Sequence, residues 1–114
     1  MSDYQWINSR DELEEKLLDM MSAATEDAKS AEKTWTEKVE YTEEVSAFLT
    51  INVIAEGSST TMSLNDFVDN LHNEINFYEG GKYEKKVKET LKGKTMYCKI
   101  IIEAAPPAYK EPGY

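Results

Sequence analysis

At Trp35 the hydrophobic period of the chain changes. Before it, apolar or small residues recur at Leu13, Leu17, Met20, Met21, Ala24, Ala28 and Ala31. Apart from the adjacent Met pair they are three or four residues apart, which is one stripe of an α-helix. From Trp35 onward, Val39, Tyr41, Val45, Ala47, Leu49, Ile51, Val53 and Ala55 all fall at odd positions, with polar residues between most of them. That two-residue repeat, rich in β-branched side chains, is a half-buried strand. A long amphipathic helix followed by alternation has to bury a helical stripe against a sheet face, so the chain belongs to the α+β class.

Local signals sharpen the elements. Ser9 with Glu12 three residues later is a capping-box start, and Asp11, Glu12, Glu14 and Glu15 favour the positive end of the helix dipole. The first helix is therefore expected over 10–32. Residues 35–55 read as a hairpin rather than one bent strand. A three-residue loop Thr42-Glu43-Glu44 would pair Tyr41 with Val45 and Val39 with Ala47, which keeps the apolar face intact. Gly57–Thr61 is a polar loop, and Ser63 caps a second helix with the stripe Leu64, Phe67, Val68, Leu71, Ile75 and Tyr78. Gly80-Gly81 ends it. A short Lys-rich helix is expected next, with Tyr83, Val87 and Leu91 at spacing four and Gly93 as its stop. Thr95–Ala104 alternates again, placing Met96, Cys98, Ile100 and Ile102 on one face. The expected order is α-β-β-α-α-β, with no internal repeat: a small three-stranded, mostly antiparallel sheet with helices packed on one face.

At 114 residues the chain can bury roughly two thirds of its unfolded surface without a disulfide or metal. A single domain over 1–105 and a flexible Pro/Tyr-containing tail over 106–114 are expected. No apolar run approaches the ~18 residues of a membrane helix, and Met1-Ser2-Asp3-Tyr4 lacks the basic start of a signal peptide, so a cytoplasmic location is expected. One cysteine, Cys98, excludes an internal disulfide, and with one histidine, His72, it cannot form a Cys/His zinc site. No cofactor and no metal are expected.

Features that could carry chemistry have plain structural readings. The Gly57–Ser63 loop lacks both the Lys-Ser/Thr ending of a phosphate-binding loop and dinucleotide glycine spacing. His72 lies at the edge of a helix face, and no serine sits in a nucleophile-elbow pattern. Cys98 reads as a small buried hydrophobe. Asp66, Asp69 and Glu74 read as a solvated face, the Lys run 82–94 as a solvated helix, and Pro106-Pro107-Ala108-Tyr109 as a chance match to a WW-domain ligand.

Charge distribution is the feature with functional content. The net charge is −9, but residues 1–79 carry 18 acids and 5 bases, whereas 80–114 carry 8 bases and 4 acids. Within 11–44, 12 acids face 4 bases. The candidate partner-binding residues are Glu37, Glu40, Tyr41, Glu43 and Glu44, with Asp11, Glu12 and Glu15 as a second patch. Carboxylates spaced over a rigid domain present a basic groove with a pattern like a nucleic-acid backbone, and they steer association. The expected function is therefore a small, non-enzymatic inhibitor that occupies a basic, nucleic-acid-binding surface of a partner, in the manner of anti-restriction and anti-CRISPR DNA mimics. The partner would be a basic protein such as a nuclease, with no direct nucleic-acid or membrane binding. The alternatives are a self-associating assembly subunit, in which acidic N-terminal and basic C-terminal parts meet, and an enzyme with a carboxylate-based site.

Overall fold

A computed structural model describes residues 5–26, 34–41, 47–57, 61–77 and 79–105. Eight elements follow one another: β1 (Gln5–Ile7), α1 (Arg10–Glu26), β2 (Thr34–Tyr41), β3 (Ala47–Ala55), β4 (Met62–Ser63), α2 (Leu64–Glu74), β5 (Gly81–Leu91) and β6 (Lys94–Ala105). The strands form one six-stranded mixed sheet in the order β1-β2-β3-β6-β5-β4. The pairs β1–β2 and β4–β5 are parallel, and the other neighbours are antiparallel. Each half of the chain is thus a β-α-β-β unit whose short first strand lies at a sheet edge. The two units meet at the antiparallel β3–β6 seam.

This corrects the expected three-stranded sheet, while both helices do lie on one face of it. Three of the six strands escaped the sequence reading. β1 and β4 are three and two residues long, too short to show a period. The third is β5, expected as a Lys-rich helix. Its residues Tyr83, Val87 and Leu91 are four apart, which fits one helical turn and two strand repeats equally well. The intervening odd positions are the exposed Lys85 and half-buried Glu89, so the alternation is thinned rather than broken. Lys92 and Gly93, at φ 53° and 79°, close the β5–β6 hairpin as a two-residue turn of the type whose central residues both have positive φ.

The β2–β3 hairpin is present with a different register. Tyr41 pairs with Ala47, Val39 with Leu49 and Trp35 with Val53, two residues away from the expected pairing. The connection spans 42–46, outside the described residues, where Val45, Glu43 and Glu44 also lie. A shift of two preserves which side chains share a face, so burial alone does not choose between the registers. α1 is described as far as Glu26, and 27–33 lie outside the described residues, as does the 106–114 segment with its PPAY sequence.

The core is a sandwich of one sheet face and two helices. Leu13, Leu17, Met20, Met21 and Ala24 of α1 pack over β3 and β6, and Leu64, Phe67, Val68 and Leu71 of α2 cover the β5 side. From the sheet, Leu49, Ile51, Val53, Ile100 and Ile102 meet them, all fully buried. No polar or charged residue is buried among the described residues. The expected N-cap is in place: Asp66 N–H donates to Ser63 Oγ at 3.1 Å, and Glu12 N–H donates to Ser9 Oγ at 3.2 Å.

Candidate functional site

The helix layer gathers the acidic residues. α1 carries six acids and two bases, and α2 carries three acids and no base. All nine carboxylate side chains are exposed except Glu14, which is half-buried. The amphipathic stripe dictates this: with Leu13, Leu17 and Met20 turned to the sheet, Asp11, Glu15 and Asp19 fall on the opposite side of the cylinder. Asp11, Glu14, Glu15 and the half-buried Leu18 line a shallow depression on α1.

Arg10, the single arginine of the chain, joins the two helices. Its Nε and Nη2 both donate to Asp69 Oδ1, at 3.1 and 2.7 Å. Nη2 also reaches Asn65 Oδ1 (2.8 Å) and the Asn65 carbonyl (3.2 Å), while Nη1 donates to Glu14 Oε1 at 3.1 Å. The hydrogen bond to Asp69 foremost pushes the guanidinium pKa up, against the cost of desolvation. This clamp sets the α2 carboxylates beside those of α1 and enlarges the acidic surface beyond the residues expected from the sequence. The signal that could have found it is a lone arginine at the start of an acidic helix, since its partners are 55 and 59 residues away.

Among the expected site residues, Asp11, Glu12 and Glu15 lie exposed in the first turns of α1. Glu12 is engaged in capping as well, accepting from Asn8 N–H at 2.9 Å. Glu37 and Glu40 lie in β2, where their positions fall on opposite faces: Glu37 pairs with Ile51, and Glu40 stands between Trp6 and Phe48. Glu43 and Glu44 are outside the described residues. Tyr41, grouped with these acids by its neighbours in sequence, is 1 % exposed. Its ring meets His72 edge-on and tilts against Phe77, and its hydroxyl lies 3.1 Å from His72 Nε2. Opposite Tyr41 the sheet carries Ala47, small enough to leave room for the ring.

The lysine run is spread along β5. Lys82, Lys86 and Lys88 fall on the sheet face away from the helices, and Lys85 falls on the helix side with its Nζ 5.8 Å from the Tyr83 ring centre. Asp66, Asp69 and Glu74 share α2 and form no metal-binding group, and no such group of three occurs among the described residues. No helix among the described residues is long and apolar enough to cross a membrane. The arrangement offers fixed negative charge on a rigid two-helix layer. The chain matches no known family model, no curated protein and no solved structure.

Proposed function

We propose that this protein is a binding protein whose acidic helix layer occupies the basic, nucleic-acid-binding surface of a partner and so inhibits it. The observation that carries the reading is the nine carboxylates against two bases on α1 and α2, with one of the two bases, Arg10, held within the carboxylates themselves. Spacing supports it. α1 has six acids over 17 residues, so one carboxylate follows another at about 4 Å along the axis at 1.5 Å per residue. One strand of duplex DNA sets its phosphates about 3.4 Å apart. A groove of lysines and arginines built for phosphates finds a comparable charge density on α1, already ordered before contact. Such a field speeds encounter and competes directly with nucleic acid for the same cations. We place this action in the cytoplasm, where nucleic-acid enzymes meet their substrates.

The test is capture of partners from an extract of the native host on the immobilised protein, with duplex DNA as competitor. A basic protein held at low salt, displaced by DNA and lost with Asp11→Lys/Glu15→Lys is the expected result. Capture that ignores both the DNA and the charge reversal overturns the reading.

A further inference from the structure

The two helices cover one face of the sheet, and among the described residues nothing covers the other. On this outer face the even positions of β3 and β5 and the odd positions of β6 point away from the core. Ile54, Ile101 and Tyr97 stand half-exposed at its centre. Lys99 of β6 stands among them, opposite Ile54, and Lys86 and Lys88 flank them on the β5 side. Counting Lys38 and Lys82 as well, five lysine positions of the outer face meet four glutamate positions, Glu40, Glu56, Glu84 and Glu103. Lys99 lies 3.2 Å from Glu84, Lys86 lies 3.7 Å from Glu56, and Lys82 lies 3.9 Å from Glu84. Pairs this exposed hold little energy and exchange partners readily. Lys88 makes no ion pair among the described residues. The helix layer on the opposite side carries the opposite charge: Leu18 closes a row of Asp11, Glu14 and Glu15 along α1, with which it lines a shallow depression.

We infer that the outer sheet face of one molecule receives the acidic helix layer of a second copy of this chain. One surface is an apolar patch interleaved with lysines, and the other is an apolar residue at the end of a row of carboxylates. Because the two surfaces differ and lie on opposite sides, the contact is heterologous, and repeating it stacks molecules front to back in an open array rather than closing a dimer. Four central strands about 4.8 Å apart and about eight residues long present roughly 500 Å² of flat face, close to 1,000 Å² with both partners counted. That is the lower end for specific interfaces, so the stack is weak and concentration-dependent. Trp6, 70 % exposed at the β1 edge on this same face, adds an aromatic anchor of the kind that dominates small interfaces. The net charge of −9 opposes approach at long range, but at physiological ionic strength charges more than about 8 Å apart are largely screened, which leaves the local pairing in control.

This inference does not depend on the inhibitor reading. Sedimentation velocity over a concentration series tests it on the full chain and two charge-reversed forms, Lys86→Glu/Lys88→Glu and Asp11→Lys/Glu15→Lys, each first shown by thermal melting to be folded. The native protein should sediment faster as concentration rises, and each variant alone should self-associate about a hundredfold more weakly, since like charges then face one another. Mixing the two variants should restore association, because the two unreversed surfaces then meet with opposite signs, and so do the two reversed ones. A native protein that stays monomeric throughout, variants that associate as the native chain does, or a mixture that stays monomeric overturns the inference. The lysine reversal also separates the two proposals: it should abolish stacking yet leave capture of a DNA-displaceable partner unchanged.

Discussion

Cys98 is 1 % exposed and stands between Met96 and Ile100 on the helix-facing side of β6, with Thr25 Oγ1 at 3.7 Å and the Met21 carbonyl at 4.0 Å. Burial pushes its thiol pKa up, the contact with Thr25 lowers it, and the charge of Glu56 raises it again. Tyr83 shifts the same way, chiefly through burial and then through Glu74, against a lowering contact from Asn70. Both groups are neutral when protonated, so a raised folded pKa means that folding disfavours the charged form. The linked stability is complete below the ordinary thiol value of 9.0 and is lost as pH climbs past it and past the phenol's 10.0. Urea midpoints should therefore fall at alkaline pH, and Cys98→Val should remove part of that fall. Thiol reagents should label the native protein slowly and the unfolded chain at once. Fast native labelling would contradict the burial of this face. The face of Cys98 was legible because strand parity is local. The contact of Tyr41 with His72 was not, because His72 is 31 residues away, although the two-residue alternation had already put Tyr41 on the buried face.

At the scale of elements, legibility followed length and period. α1, β3, α2 and β6 each show an unbroken apolar repeat, and the structure has all four. β5 fails for a physical reason: its buried residues are four apart, and a strand whose other inward positions are Lys85 and Glu89 mimics a helical stripe. Its turn was the better signal. Gly93 has φ 79° and open space around its missing Cβ, so Gly93→Ala tests conformation alone. The substitution should cost about 1 kcal/mol in chemical denaturation, from left-handed strain partly offset by the stiffer unfolded chain. No loss would mean that the turn adopts another form. The β2–β3 register is the opposite case, in which two alignments put the same side chains on the same face and alternation alone does not choose between them.

Over the whole molecule, stability should be graded across the sheet. β3 and β6 are central, covered by α1, and joined by eight paired positions, whereas β1 and β4 are edge strands of three and two residues. Amide exchange should be slowest for Ile51, Val53, Ile100 and Ile102 and fastest in β1 and β4, with the β5–β6 turn also fast. Uniform protection would argue against a seam of two β-α-β-β units. The sequence alone determined the α+β class, the identity of the long periodic elements, the helix starts at Ser9 and Ser63, and the burial of Val39, Tyr41 and the odd positions 47–53, because each depends on residues within a few positions of one another. Tertiary structure alone decided the number and order of strands, the clamp from Arg10 to Asp69, the contact of Tyr41 with His72, and the separation of an acidic helix layer from a lysine-bearing sheet face. Those depend on pairing between segments far apart in the chain. A two-residue period tells a strand which face to bury and leaves open which neighbour it will bond.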